Sequence, residues 1–296
     1  MITLDVWKAR AAYFEANANR MAYWCTPNPD ETRPWLLLIH GYPTSSWDWS
    51  AIWSALERRF NIVAMDMLGF GLSDKPQHIK YSIFDQANFY EACLAHLGLN
   101  EAHVFAHDYG DTVAQELLAR HNDSQLSFSM KSLCLLNGGI FPEKHRARII
   151  QKFGLTPFGF LIGKMLSREK LRTTFDEIFG PDTKASDEEI DGHWSLVVEN
   201  NGAKILHKLL QYIPERRANR SRWVGALQHT HIPLRLINGG ADPVSGRHAY
   251  EHYLKLIPNP DAVLLDTIGH YPHTEASRDV VDAFTEFHDT KVAQRR

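Results

Sequence analysis

Short, continuously apolar runs recur along this chain and limit what it can fold into. The runs cover 35–40, 61–66, 103–106, 131–137, 232–238 and 262–266. A run without polar alternation is typical of a strand covered on both faces, and helix-like patterns lie between the runs, for example at 49–59 and 85–97. Strands that alternate with helices form doubly wound sheets. We therefore predict an α/β fold whose mostly parallel central sheet carries helices on both faces.

Two segments depart from this alternation. Residues 11–24 alternate between apolar and polar side chains, which predicts an antiparallel hairpin at one edge of the sheet. Between 139 and 228 the strand signal disappears and a helical pattern, interrupted by prolines, replaces it. About 90 residues far exceed an ordinary loop between two strands, so we predict an inserted helical cap. The predicted division is 1–138 for the first part of the core, 139–228 for the cap and 229–296 for the second part of the core.

Composition argues against several classes of function. A formal net charge of −3 over 296 residues offers no basic surface to nucleic acid or to an anionic membrane. No apolar run approaches the ~20 residues of a membrane span, and residues 1–10 lack the apolar segment of a secretory signal. The three cysteines form no C-x-x-C pair, which favours a reducing compartment. We expect a cytoplasmic protein without a nucleic-acid or membrane partner, and its oligomeric state stays open.

The run at 103–106 leads into a turn that carries a carboxylate. Asp108 follows this run, Gly110 breaks the apolar pattern, and a helix-like pattern comes next. Strand, sharp turn and helix are the setting of a nucleophile elbow, which exposes a nucleophilic side chain at a strand end. Asp108 occupies the nucleophile position, where serine is usual. Alternatively, it is simply the N-cap of the following helix.

Other strand ends add an acid, a histidine and backbone donors. Asp242 follows the fifth apolar run and His270 follows the sixth. Because open α/β sheets form their active sites at the carboxyl ends of strands, both side chains can meet Asp108 there. The turn after the first run can aim the Tyr42 N–H at a developing oxyanion, and the Tyr109 N–H is the second candidate donor. Together these residues predict a catalytic site with a carboxylate nucleophile.

Several segments also resemble one known family. They include the turn with Tyr42, the elbow with Asp108 and part of the predicted cap, and they cover 40–49, 68–76, 107–118, 137–142 and 222–227. On these segments the chain resembles the α/β-hydrolase superfamily, in the branch of epoxide hydrolases and haloalkane dehalogenases. Within that branch it resembles the mesoderm-specific transcript (MEST) proteins. The likeness runs from about residue 35 to about residue 273, cap included.

The resemblance implies a role for each of these residues. Asp108 would attack the substrate and form a covalent aspartyl ester, His270 would activate water as a general base, and Asp242 would orient His270. The substrate would be a small apolar organic molecule that reacts with water, and no cofactor or metal is implied. Trp47 and Phe141 lie in the resembling segments and are expected to contact the substrate.

Two positions distinguish the activities of this branch. Haloalkane dehalogenases hold halide with a tryptophan after the nucleophile and often an asparagine in the His-Gly turn, whereas this chain has Tyr109 and Tyr42 there. Epoxide hydrolases protonate the ring oxygen with two cap tyrosines, and Tyr212 resembles the second of them. No tyrosine precedes it in the predicted cap, so His145 or His193 would have to replace the first. We therefore predict hydrolysis of an epoxide to a diol.

Two alternatives to this function remain open. The first is a different hydrolase on the same three residues, such as a haloalkane dehalogenase with an unusual halide site. The second is a non-catalytic, MEST-like binding or signalling protein with a vestigial site. An intact set of Asp108, Asp242 and His270 argues against the second alternative.

A basic run on the predicted cap has a simpler explanation than a site. The run comprises Arg216, Arg217, Arg220 and Arg222. Such a run usually forms a solvated face, which is our prediction, with an anionic substrate or partner as the alternative.

Overall fold

A single eight-stranded sheet forms the centre of the protein, as seen in a computed structural model that describes residues 1–293. Its strands are β1 (Ala12–Ala16), β2 (Asn19–Cys25), β3 (Trp35–Ile39), β4 (Asn61–Met65), β5 (Glu101–His107), β6 (Ser129–Leu136), β7 (Leu234–Gly239) and β8 (Ala262–Leu265). Across the sheet they follow the order β1-β2-β4-β3-β5-β6-β7-β8. Strands β1 and β2 pair antiparallel, as do β2 and β4, and the other neighbours pair parallel. The predicted fold class is confirmed.

Helices surround this sheet and fill the interval between β6 and β7. They are α1 (Leu4–Ala9), α2 (Trp53–Leu56), α3 (Ile83–His96), α4 (Tyr109–Asn122), α5 (Ile149–Gly154), α6 (Ile162–Met165), α7 (Arg168–Ile178), α8 (Asp187–Val198), α9 (Leu206–Leu209), α10 (Tyr212–Ala218), α11 (Arg220–His229), α12 (Arg247–Leu256), α13 (Pro272–Glu275) and α14 (Ser277–Phe287). Short 3-10 segments cover Ser46–Ala51, Gly159–Leu161 and Glu199–Lys204, and His288–Val292 is π-helical. Among residues 1–293, every helix falls short of the length or the apolarity of a transmembrane span.

The unbroken apolar runs bury side chains on both faces of the sheet. Leu37 and Val104 belong to one hydrophobic cluster, whereas Leu36, Leu38 and Phe105 belong to another. Successive side chains of a strand point to opposite faces, so a strand with a core on each side needs apolar residues at every position. This requirement explains why the strands lack polar alternation.

The six predicted strands all form, and their ends differ from the predicted ones by no more than two residues. The predicted hairpin is also present as β1 and β2, with Asn17 and Ala18 at positive φ in the turn. The helix predicted at 85–97 corresponds to α3.

The helix predicted at 49–59 is wrong as a single element. The chain instead forms the 3-10 segment Ser46–Ala51 and then the one-turn helix α2. Side-chain hydrogen bonds hold the first part in this tighter form: Ser46 Oγ donates to Asp66 Oδ1 at 2.6 Å, and Thr44 Oγ1 donates to Asp48 Oδ2 at 2.5 Å. Local side-chain bonds of this kind compete with a regular helix.

The chain between β6 and β7 is helical throughout its regular elements, from α5 to α11. Its later part packs into the main core, because Leu209, Ile213 and Trp223 join the cluster that contains Leu37. Trp223 Nε1 also donates to Glu116 Oε2 of α4 at 2.8 Å. The core thus anchors the helices that carry the end of this insertion, while the boundaries 139 and 228 of a cap stay a prediction.

The order of the strands indicates where a ligand would bind. From β3 the chain places β4 on one side and β5 on the other, so the direction of winding reverses between β3 and β5. Ligands of open α/β sheets bind outside the carboxyl ends of the strands at such a switch point. Tyr42 follows β3 and Asp108 follows β5, so both lie at this point.

Candidate active site

Asp108 lies in a strained turn between β5 and α4. Its backbone has φ 50° and ψ −109°, a conformation that a non-glycine residue rarely adopts. The side chain makes no capping hydrogen bond to α4, although Asp108 stands at the N-cap position. Its carboxylate is 5% exposed and is directed to other partners instead. The alternative role as a simple helix cap therefore does not account for this side chain.

Close packing behind the turn requires a glycine two residues later. A Cβ on Gly110 would lie 2.5 Å from the carbonyl oxygens of both Ile39 and His40. The first turn of α4 can therefore approach the end of β3 only without a side chain at this position. The approach brings the backbone after β3 to Asp108, where Tyr42 N donates to Asp108 Oδ1 at 2.9 Å.

His270 lies between two carboxylates. Its Nδ1 is 2.8 Å from Asp242 Oδ2, and its Nε2 is 3.4 Å from Asp108 Oδ2. Asp108, Asp242 and His270 come from the loops after β5, β7 and β8, so the sheet brings together the three residues singled out from the sequence. The order carboxylate–histidine–carboxylate is that of a catalytic triad with an acid as its nucleophile.

Asp242 is held by a set of donors that sequence reasoning missed. Asn137 Nδ2 donates to its Oδ2 at 3.0 Å, and Val244 N donates to its Oδ1 at 2.7 Å. The Ser245 hydroxyl is 2.7 Å from Asp242 Oδ2. Asn137 stands directly after β6, so a polar residue at that strand end was the available signal. With His270 added, both carboxylate oxygens of Asp242 are occupied.

The charges of the three residues stabilise one another. Burial disfavours the charged form of His270, but the carboxylates of Asp242 and Asp108 outweigh it and raise the pKa of His270 well above 6.5. Burial likewise opposes ionisation of Asp108, yet the hydrogen bond and charge of His270, with the Tyr42 N–H, lower the pKa of its carboxyl group. The pKa of Asp242 is also lowered, despite burial, by His270, Asn137 and Ser245. Asp108 is therefore ionised at neutral pH without a base to deprotonate it.

Two backbone N–H groups are the candidate donors to an oxyanion at Asp108. Tyr42 N already donates to Oδ1. Tyr109 is the first residue of α4, and the first N–H groups of a helix have no acceptor within it. The helix dipole adds a favourable field for negative charge at this end, typically ~0.3–1 kcal/mol. The pair can stabilise an oxyanion that forms at Asp108.

Tyr212 from the cap region stands over this turn. It is the first residue of α10 and 1% exposed, and its ring centroid is 4.9 Å from that of Tyr109 and 6.4 Å from that of Tyr42. Its hydroxyl makes no hydrogen bond within 3.5 Å to residues 1–293, although the Arg216 side chain is near enough to oppose the rise of its pKa. Burial, and then the charge of Asp108, raises the pKa of Tyr212, so it carries a proton at neutral pH.

Of the two histidines considered as a second donor, His145 lies beside Tyr212. Their ring centroids are 6.4 Å apart, and both ring nitrogens of His145 are buried without a partner in the described part of the chain. Burial and the nearby charge of Arg216 lower the pKa of His145 to about 3, so it is neutral at pH 7. His193 instead packs against Trp47, with its Nδ1 3.7 Å from Asp48 Oδ1.

The predicted solvated face of the basic run is wrong for Arg216. This side chain is 2% exposed, because α10 turns it towards α4, where Arg216 Nε donates to Thr112 Oγ1 at 3.0 Å. Arg217, the next residue, is exposed as expected.

The two expected substrate contacts pack against histidines outside the triad. Trp47 is buried, its Nε1 donates to the Ile2 carbonyl oxygen at 3.1 Å, and its ring packs against His193 of α8. Phe141 is buried in the main core with its ring against His252, 4.8 Å between centroids. Their contact with substrate stays a prediction.

A second group of titratable side chains lies behind Asp108. Asp48, His107 and His273 are buried, and each offers a ligand atom within 4.8 Å of the others. His107 Nε2 donates to the carbonyl oxygen of His270 at 2.8 Å, so this group backs the triad. One carboxylate oxygen and two imidazole nitrogens are a donor set that suits a divalent cation such as Zn²⁺. Sequence reasoning missed the group because its members are far apart in the chain, and the absence of a metal stays a prediction.

Comparison with known proteins agrees with this architecture. The model of the α/β hydrolase fold family matches residues 34–277, which include the whole triad. The chain belongs to the α/β-hydrolase family. It is 40% identical to the human mesoderm-specific transcript homolog protein over 294 aligned residues, which cover 96% of this chain and 87% of the human protein.

More distant members of the family have named activities. Epoxide hydrolase 1 of Caenorhabditis elegans is 33% identical over 119 residues, 40% of this chain and 28% of that protein. The structure of a loop variant of haloalkane dehalogenase DbeA from Bradyrhizobium elkanii aligns with a TM-score of 0.75 at 21% identity, over 94% of this chain and 97% of that one. At 21% identity the structural match shows only that the two proteins share a fold. These comparisons establish the family but not the substrate.

Proposed function

We propose that this protein hydrolyses epoxides through a covalent ester on Asp108. One observation carries the proposal: an ionised carboxylate in a strand-end turn lies 3.4 Å from a histidine held by a second carboxylate, with the Tyr212 phenol buried over the same turn. This set of groups supplies a nucleophile, a base and a proton donor. Each is needed once in epoxide hydrolysis.

The identity of the nucleophile restricts the substrate. Attack of a carboxylate on an ester carbonyl yields an anhydride, which is a high-energy intermediate. Attack on an sp³ carbon that bears a strained or good leaving group yields an alkyl ester, which is stable enough to form and reactive enough to be hydrolysed. Epoxides and alkyl halides are substrates of the second kind.

In the first half-reaction, Asp108 opens the ring. Oδ1 is held by the Tyr42 N–H, so Oδ2 is the oxygen available for attack. A bond forms between Oδ2 and one ring carbon, the bond from that carbon to the ring oxygen breaks, and the ring oxygen takes a proton from Tyr212. His145 beside Tyr212 donates a hydrogen bond to the same oxygen. The product is a hydroxyalkyl ester of Asp108.

In the second half-reaction, His270 activates water. Once Asp108 is esterified its negative charge is gone, so only Asp242 still favours the charged form of His270, and the pKa of His270 falls. Neutral His270 removes a proton from a water molecule that attacks the ester carbonyl carbon, and the oxyanion forms at the N–H groups of Tyr42 and Tyr109. The tetrahedral intermediate collapses, and its alkoxide takes the proton from His270 and leaves as the diol. The remaining proton of the attacking water restores the Tyr212 phenol, and one water oxygen stays in the Asp108 carboxylate.

The cap favours an epoxide over a halide. A halide leaves as an anion and needs hydrogen-bond donors but no proton, whereas a ring-opened alkoxide needs a proton. Tyr212 and His145 are neutral, hydrogen-bearing groups with unpartnered atoms on the cap side of Asp108.

The covalent intermediate can be trapped by removing the base. In His270→Gln the ring still opens, but ester hydrolysis is slowed, so the intact mass of the protein is expected to rise by that of one epoxide molecule. Peptide mapping should place the adduct on Asp108. His229→Gln is a matched control, because His229 is exposed at the end of α11, and it should turn over without accumulating adduct.

Three results of this experiment are decisive. An adduct on Asp108 with members of an epoxide panel supports the proposal. An adduct only with chloro-, bromo- and iodoalkanes of matched carbon skeleton overturns epoxide hydrolysis while retaining the nucleophile. Absence of any adduct in His270→Gln, with folded protein, overturns the covalent mechanism.

A further inference from the structure

Arg216 is a buried cation beside the nucleophile. It is 2% exposed, its Nε donates to Thr112 Oγ1 at 3.0 Å, and its guanidinium carbon lies 4.7 Å from the centre of the Tyr212 ring. Within residues 1–293 it forms no ion pair within 4.0 Å, and both terminal nitrogens, Nη1 and Nη2, are buried without a hydrogen-bond partner.

Its neighbours in the basic run show the opposite arrangement. Arg222 Nε lies 2.8 Å from Glu116 Oε2, and Arg220 Nε lies 2.9 Å from Glu143 Oε2. These arginines are more exposed than Arg216 and nevertheless paired. A buried unpaired charge is expensive, so the most buried arginine of the run should be the best paired if its purpose were structural. The carboxyl groups of Asp108 and Asp111 lie near enough to favour the charge of Arg216, but neither forms an ion pair with it within 4.0 Å, so its terminal nitrogens are available to a ligand.

The backbone leaves room for the guanidinium at the edge of the sheet. A Cβ on Gly139, in the loop after β6, would lie 1.8 Å from Arg216 Nη1 and 2.8 Å from His145 Nδ1. A larger residue at this position would displace the guanidinium of Arg216, and also His145, from the backbone here. Because β6 neighbours β5, this loop stands beside the turn that carries Asp108.

We propose that Arg216 is a binding site for a carboxylate on the substrate, so that the epoxide opened at Asp108 carries an acid group. The inference rests on the function proposed above and adds the substrate class to it. The two terminal nitrogens of a guanidinium form a fork that matches the two oxygens of a carboxylate. Tyr212 would then lie between the acid group and the reacting ring carbon.

The charges around the site favour a single negative charge on the ligand. Arg216 is one cation, and His145 adds none, because its pKa is about 3. The ionised Asp108 and the buried Asp111 also lie near Arg216, and negative charge on them repels further negative charge on a ligand. A monoanionic carboxylate suits this balance, whereas a phosphate dianion would leave an unmatched charge in a buried site.

A pair of small probes separates recognition from catalysis. Glycidate and glycidamide share the epoxide and differ in whether the attached group is a carboxylate or a neutral amide. For the wild-type protein we expect kcat/KM to be about 100-fold higher with glycidate than with glycidamide. In Arg216→Met we expect nearly equal values, because kcat/KM falls for glycidate and stays unchanged for glycidamide. Arg217→Met, an exposed neighbour on the same helix, should leave both rates unchanged.

A binding measurement makes the inference independent of turnover. In Asp108→Ala, calorimetry should detect glycidate more tightly bound than glycidamide, and Arg216→Met in that background should abolish the difference. If this holds while His270→Gln forms no adduct with either probe, the carboxylate site stands and epoxide hydrolysis fails. If both probes form adducts at equal rates, and Arg216→Met slows both equally, epoxide hydrolysis stands and the carboxylate site is wrong.

Stability distinguishes a functional from a structural role. Replacing an unpaired buried charge by an apolar side chain of similar length should leave the melting temperature equal or higher. A clear fall in the melting temperature of Arg216→Met, with no change in the preference for glycidate, would overturn the proposal.

Discussion

The triad carboxylates and the polar groups of the helical insertion differ in how far the protein satisfies them. On the sheet side, both oxygens of Asp242 accept hydrogen bonds from the protein, and Asp108 is held by Tyr42 N and His270. On the side of the helical insertion, the Tyr212 hydroxyl and other groups have no partner in the described chain. These groups are Tyr212 Oη, His145 Nδ1 and Nε2, and Arg216 Nη1 and Nη2. The protein therefore holds the two triad carboxylates in place, although His107 Nδ1, Asp111 Oδ2 and both ring nitrogens of His273 on the same side as these carboxylates also lack a partner. The side of the helical insertion leaves its polar atoms available to a ligand.

This difference has an energetic consequence. A buried polar group without a partner costs about 1–3 kcal/mol, and more if it is charged. The apolar side chains of the same helices offset that cost, since Leu209, Ile213 and Trp223 are buried in the main core. Function at this site is therefore maintained at some expense of stability, as is common for active sites.

Removal of the nucleophile should have the largest effect. Asp108→Ala is expected to lower kcat for a reactive epoxide by at least about 10⁴-fold, because no other residue can form the ester. Steady-state diol formation measures this. Asp123→Asn, at the exposed end of α4, is the control and should retain full activity; comparable loss in both variants would point to disruption of α4 and not to chemistry.

A matched pair of hydroxyl deletions tests the contrast between the two sides directly. Ser245→Ala removes a hydroxyl that lies 2.7 Å from both Asp242 Oδ2 and the Asn137 carbonyl oxygen, so it should cost about 1–3 kcal/mol of unfolding free energy. Tyr212→Phe removes an unpartnered hydroxyl and should change the unfolding free energy by less than about 0.5 kcal/mol. Chemical denaturation measures both values.

The same pair should behave differently in catalysis. Tyr212→Phe should slow ring opening by about 100-fold, since a positioned general acid contributes at least that much. If Tyr212→Phe destabilises the fold as much as Ser245→Ala and leaves ring opening unchanged, the contrast between the two sides is wrong.

A smaller effect should appear in how the contribution of His270 to the unfolding free energy depends on pH. His270 has a folded-state pKa raised well above 6.5, so its ionic contacts contribute fully below pH 6.5 and are lost as the pH rises through the folded-state pKa. The difference in unfolding free energy between wild type and His270→Gln should therefore shrink as the pH rises from about 6.5 through the raised folded-state pKa of His270. Denaturation at several pH values tests this, and a difference that grows with pH contradicts the assigned charges.

Sequence patterns were sufficient to predict the residues on the sheet side of the site, because each of them directly follows a strand. Asp108, Asp242 and His270 each follow a recognisable apolar run, and strands of a parallel sheet bring their carboxyl ends to one edge. The tyrosines after β3 and β5 follow from the same argument. Asn137 was accessible by it too, as a polar residue at the end of β6.

The residues on the side of the helical insertion are positioned by tertiary packing, which leaves no periodic pattern in the sequence. Arg216 and Arg217 are neighbours of one type, and only the orientation of α10 against α4 buries the first and exposes the second. The position of His145 likewise depends on a close approach to Gly139. The helix predicted at 49–59 failed for a related reason, because distant Asp66 binds Ser46 and favours a tighter turn.

The central claim is that Asp108 forms a covalent ester, and isotope labelling tests it most directly. Enzyme in excess over the epoxide is allowed one turnover in water labelled with the heavy oxygen isotope. The oxygen added to the substrate comes from Asp108 Oδ2, so the account predicts unlabelled diol and one heavy oxygen in the Asp108 peptide. Labelled diol with unlabelled Asp108 would show that water attacks the epoxide directly, and it would contradict the covalent mechanism.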